Sequence, residues 1–243
     1  MKNPKSNYFA YTKDNFIGIL FIFPFLLTYE FLFYIVYADD DLKARNLAEI
    51  LIRDFFSLFG NFGFLIESIL LISVLYYLIK RNKSKYKTLH VNPLYLFFLM
   101  IEGFLFGLIL ILFLSNMEIF AFSRLSYNPN FLENIYLSIG AGVWEEILFR
   151  GVLLTSFIYI SKKINLFTTN INSFISIIIV SLLFSASHYI GNSGEVFIYY
   201  TFVIRSIAGV FLGYLFLWRG IGVVSMTHIS YNVIIEILKL YSF

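Results

Sequence analysis

The sequence predicts an all-α fold, a polytopic membrane helix bundle of about seven spans, and three observations predict it. Hydrophobic residues fill 59% of the 243 positions and charged residues only 14%, whereas a soluble domain carries about 25% charge. A soluble chain of this length has too much surface for its volume to hide such an apolar excess. The apolar residues also fall into runs of the length that crosses a hydrocarbon core, ~20 residues each, and basic residues gather at alternate connections between the runs.

The first run covers residues 16–38 and follows Lys2, Lys5 and Lys13. It is too long for a signal-peptide core and no small-x-small cleavage site follows it, so it is expected to stay as the first span. From Leu42 to Phe59, charge mixes with Leu, Ile and Phe at helical spacing, the pattern of a helix lying in the membrane interface. Further spans are expected over about 62–79, 94–115, 132–158, 173–190, 196–217 and 221–241. This divides the chain into residues 1–131, spans plus an interfacial helix, and residues 132–243, where the chemistry concentrates. With the N-terminus inside, eleven Lys and Arg fall in inner segments and five in outer ones. The positive-inside rule then gives an integral, multi-pass protein with a cytoplasmic N-terminus, expected in a bacterial inner membrane.

The chain has no cysteine, which excludes disulfides, thiolate catalysis and Cys-ligated metal. The 30 Phe and 18 Tyr are expected to face lipid and the interfacial belts rather than a cofactor.

Ionisable groups inside spans are costly, roughly 2.5–3.5 kcal/mol each on an insertion scale, and each needs a reason. Glu30, Glu67 and Glu102 in the first three spans have no partner that the sequence identifies. The later polar residues form sets. Glu145 and Glu146 sit mid-span and Arg150 follows. Adjacent helical carboxylates point about 100° apart and are not expected to face one partner, whereas Glu146 and Arg150, four apart, share a face and neutralise one another. Glu145 is left without a local partner, and a desolvated carboxylate suits a general base. Phe184 and His188 share a face in the fifth span, and His228 and Asn232 in the seventh. His90, in a basic loop, is given no role. A carboxylate, two imidazoles and an amide are the parts that peptide hydrolysis by activated water requires: a base, a group that orients the water, and donors for the oxyanion.

These residues carry a resemblance. The chain resembles the CPBP family of CAAX prenyl endopeptidases and bacterial membrane relatives, whose Glu-Glu-x-x-x-Arg motif matches Glu145, Glu146 and Arg150. The family's Phe-x-x-x-His motif matches Phe184 and His188, and its His-x-x-x-Asn/Asp motif matches His228 and Asn232. Gly209 and Gly213 resemble the family's glycine-rich helix, and also form a small-x-x-x-small face that lets helices approach closely. The three motifs span about 110 residues of the C-terminal half; nothing is carried to the first ~115.

The resemblance implies an intramembrane endopeptidase in which Glu145 activates water with His188, and His228 and Asn232 form the oxyanion site. Glu146, Arg150 and Phe184 would support them. The expected partners are membrane lipid and a membrane-associated peptide or protein, with no nucleic acid. No cofactor is expected, although zinc held by Glu145, His188 and His228 is the alternative within the enzyme class. A non-catalytic scaffold or bacteriocin-immunity protein is the alternative outside it. A transporter fits the buried charge, but no paired inverted halves show. Arg205 has candidate partners in Glu195, Glu236 or a substrate carboxylate. The span boundaries also raise a tension: they place His188 and His228 roughly 10–15 Å apart in depth at 1.5 Å per residue.

Overall fold

A computed structural model describes residues 7–37, 44–62, 91–118, 130–164, 168–191 and 194–241, and isolated helical positions between 69 and 83. Most of the expected second span, with Glu67, and also His90 lie outside the described residues. All regular structure among the described residues is helical.

The elements are α1 (Tyr8–Thr12), α2 (Asn15–Val36), the interfacial α3 (Leu47–Ser57), α4 (Pro93–Glu118) and α5 (Phe131–Gly140). A π-helical segment (Ala141–Leu154) then runs without a break into α6 (Thr155–Lys163). Last come α7 (Thr169–Ser187), α8 (Tyr199–Arg219) and α9 (Ile221–Tyr241). By length and composition α2, α4, α7, α8 and α9 can each cross a membrane. The expected fourth span is the composite α5–π–α6, and the expected α7 and α8 boundaries shift by a few residues.

α9 is the axis of the bundle. Sixty-one per cent of its spanning window is buried, against 17% for α2, and it packs on α2, α4, α5, the π segment and α8. Two glycines bring α4 against it: a Cβ on Gly103 would collide with Met226 Cβ, and one on Gly107 would meet Ser230 Cβ at 2.9 Å. Gly209 and Gly213 act likewise between α8 and α7, where added Cβ atoms would meet Ser181 at 2.9 Å and Ile177 at 3.0 Å, as their small-residue spacing predicts. A single residue, Gly220, turns the chain from α8 into α9 at φ +86°, a conformation that favours glycine.

Leu99, Leu110, Leu212, Val223 and Val224 fill the core between α4, α8 and α9. Phe149, Ile177, Val180 and Phe184 fill that between the π segment and α7. Large apolar side chains elsewhere point outward, among them Phe31, Leu112, Phe113 and Trp218, as lipid contact requires.

Two of the isolated acids of the early spans, Glu30 and Glu102, are paired after all. Glu30 receives Arg45 Nη1 at 2.9 Å. Glu102 receives Arg219 Nη2 at 2.7 Å together with Arg219 Nε and the Tyr8 hydroxyl. Their partners lie 15 and 117 residues away, so no local spacing announces them. Arg205 makes two bonds to Glu195, at 2.7 and 2.8 Å.

Candidate active site

The π segment carries the Glu-Glu-x-x-x-Arg residues. π-helices close i→i+5 rings and are rare, commonly at functional sites. Such a turn holds more residues than an α-turn, so consecutive side chains diverge by less than 100°. Glu145 and Glu146 therefore reach one partner, contrary to the expectation from α-helical geometry. His228 on α9 places Nδ1 2.7 Å from Glu146 Oε1 and Nε2 3.9 Å from Glu145 Oε2. A carboxylate paired to Arg150 accepts, so His228 Nδ1 carries a proton and donates.

Glu146 and Arg150 form the expected ion pair, at 2.8 Å and with 0% and 1% side-chain exposure. Arg150 also donates Nη2 to the Gly209 carbonyl at 3.3 Å and lies 4.7 Å from the Phe184 ring centroid, stacking as guanidinium does on aromatic faces. The glycine face thus has a second effect: it brings an α8 carbonyl within reach of the arginine. Among the described residues Glu146 Oε2 is buried without a hydrogen-bond partner.

Glu145 is not alone. Asn46 Nδ2 donates to its Oε1 at 2.9 Å. Asn46 precedes α3 and caps it, accepting the Ala48 N–H at 2.9 Å. The segment expected to lie in the interface therefore begins buried against the π segment, and only its far end exposes Phe55, Leu58 and Phe59. The pattern Asn46-x-x-Glu49 signals a helix start, but nothing in it points to a carboxylate 99 residues later.

Phe184 joins the two histidines. Its ring lies 5.2 Å from that of His188 and 6.1 Å from that of His228, edge-on in both cases. His188 is the C-cap of α7, and both histidines pack on Phe184 and line one cavity. The Phe184 carbonyl lies 3.0 Å from His188 Nδ1. A carbonyl only accepts, so Nδ1 holds the proton and the lone pair of the neutral ring is on Nε2.

Glu145, His188, His228 and Asn232 line one cavity of about 470 Å³. Leu110, Ile204, Ala208 and Leu212 form an apolar wall, and Arg45, Glu195, Arg205, Glu236 and Lys239 give it a charged rim. The rim charges are paired: Arg45 with Glu30, Arg205 with Glu195 and Lys239 with Glu236. Among the described residues no three His, Cys, Asp or Glu side chains converge closely enough to hold a metal ion.

Residues 127–234 match the family model described as Rce1-like, a type II CAAX prenyl endopeptidase. That match agrees with the resemblance of the C-terminal half to the CAAX-protease, or CPBP, family. No curated protein and no solved structure matches the chain. The match contains all three motifs and ends two residues beyond Asn232. With five helices long and apolar enough to cross a membrane among the described residues, it supports an integral membrane hydrolase of the intramembrane endopeptidase kind, whose surroundings are lipid and whose substrates are peptides. Asn46, Arg45 and Leu110 line the same cavity from outside the match.

Proposed function

We propose that the protein is a glutamate-type intramembrane endopeptidase that hydrolyses a peptide bond in or near the bilayer without a metal. The observation that carries this reading is the convergence of Glu145, His188, His228 and Asn232 on one cavity that charged side chains also line. Glu145 takes a proton from water while His188 Nε2 accepts a hydrogen bond from it and fixes its direction. The resulting hydroxide adds to the scissile carbonyl carbon. His228 Nε2 and the Asn232 amide donate to the oxyanion, for which one donor is worth about 2.7–4 kcal/mol of barrier. The tetrahedral intermediate collapses with cleavage of the C–N bond, and the proton held by Glu145 passes to the leaving amine.

Donation by His228 Nε2 requires a proton on both ring nitrogens. The doubly protonated ring beside Glu145, Glu146 and Arg150 gives a buried group of two positive and two negative charges with no net charge, a reason for the second carboxylate to be there. The substrate we infer is a peptide segment presented at the membrane surface, either a CAAX-type C-terminal tail, as the family description suggests, or a membrane-bound precursor. We infer a cytoplasmic N-terminus, a reading supported by the excess of Lys and Arg at alternate connections in the sequence.

The test is cleavage of a quenched fluorescent peptide library by the purified protein, with and without a chelator, beside Glu145→Gln. Cleavage that survives chelation and vanishes in the variant supports the proposal. Cleavage lost on chelation and restored by zinc would replace it with a metal site, and full activity of Glu145→Gln would remove Glu145 from the mechanism.

A further inference from the structure

Asn46 lies outside the family match and outside every motif, yet its amide is the hydrogen-bond donor to Glu145. We infer that Asn46 is a positioning residue for Glu145 and that α3 is the arm that holds it there. The inference rests on the reading of Glu145 as the base.

The geometry fixes the amide on both sides. Asn46 Oδ1 accepts the Ala48 N–H at 2.9 Å. A backbone N–H there requires the amide oxygen as its acceptor, and this directs Nδ2 to Glu145 Oε1. The Asn46 main chain is held as well: its N–H donates to the Tyr29 hydroxyl at 3.0 Å. Tyr29 in turn donates to Glu49 at 2.7 Å and stacks on Tyr136 at 4.5 Å between centroids. Asn46 is 7% exposed and Tyr29 0%, so the donor has one position. An amide N–H cannot accept. It engages Oε1 and leaves Oε2, on the His228 side, free to take a proton from water. A base whose carboxylate plane is set by a donor that cannot move meets the positioning demand of catalysis.

A purely structural role is separable from this one. α3 keeps other anchors without the amide: Arg45 to Glu30, and Glu49 to Tyr29, Arg45 and Arg53. Ser and Asp cap helices about as well as Asn. Asn46→Ser keeps the cap and removes the donor; Asn46→Asp keeps the cap and turns a carboxylate toward Glu145.

The experiment uses the full chain in lipid nanodiscs. The infrared carboxylate band of Glu145, identified by its loss in Glu145→Gln, is compared in wild type, Asn46→Ser, Asn46→Asp and Asn7→Ser, the last altering a cap on α1. The band should shift in both Asn46 variants and stay put in Asn7→Ser. In the peptide assay kcat should fall roughly 10- to 100-fold, most in Asn46→Asp, with KM within about twofold and Tm little changed. An unmoved band in both Asn46 variants, with helix content intact, overturns the inference. So does a kcat that falls only in step with Tm. The band reports the Asn46–Glu145 link whether or not any peptide is cleaved; an active Glu145→Gln would instead remove the base reading and leave that link standing.

Discussion

Among the described residues two arginines are buried, each against a glutamate, at two places in the bundle. Arg219 engages four of its five N–H donors. It donates Nη2 to Glu102 at 2.7 Å and to Thr12 Oγ1 at 2.8 Å, Nη1 to the Phe9 carbonyl at 3.2 Å, and Nε to Glu102, which also receives the Tyr8 hydroxyl. The Tyr8 and Phe9 rings flank it. Burial, and then the bond to Glu102, push the Tyr8 phenol well above its usual range, so it remains a donor. Arg150 is as deeply buried, but its surroundings are incomplete. Glu146 keeps one oxygen without a partner, and His188, His228 and Glu145 turn atoms toward a cavity. Buried charge alone does not mark a working site. Hydrogen-bonding capacity left open beside a cavity does.

The sharpest way to break this contrast is Glu145→Gln. Loss of a general base costs about 10²–10⁴-fold, so peptide cleavage should fall by that much while Tm in detergent stays near wild type. A matched pair comes next. Arg150→Met and Arg219→Met each strand a carboxylate, which costs about 3–5 kcal/mol for a buried pair, and both should lower Tm. Cleavage per folded molecule should collapse only for Arg150→Met, and equal specific activities in the two variants would refute the distinction between lock and site. A smaller effect is expected from Thr12→Val, which removes one neutral partner of Arg219. Thermal unfolding should show a loss of about 0.5–3 kcal/mol, with cleavage unaltered. The smallest is Glu195→Gln at the exposed rim, where an ion pair is worth about 0–1 kcal/mol; Tm should hold, and cleavage should stay within about twofold.

The open site was more legible in the sequence than the closed lock. Its members recur four residues apart on three helices, and ionisable groups are rare enough in spans for Glu145, Glu146, Arg150, His188 and His228 to stand out. The lock joins residues 117 apart, and Glu30 and Glu102 looked unpartnered because no periodicity links a glutamate to an arginine on a distant helix. Asn46 was hidden for another reason. As a helix cap it already had a sufficient local explanation, and only the fold shows its second bond. The π register was equally invisible: Ala141–Leu154 has the composition of an ordinary span. The angle between Glu145 and Glu146, and with it the reach of His228 to both, depends on that register. The overall class needed none of this detail, since apolar run length alone sets it.

The glycine seat of α4 has a genetic consequence. The helix that carries His228 and Asn232 presses Met226, Thr227 and Ser230 against Gly103 and Gly107, which lie outside residues 127–234. A gene fragment encoding only the matched stretch would inherit every motif and lose the trough in which its last helix lies. The signature is portable as text, while the packing that seats its last helix draws on residues before the match as well as within it.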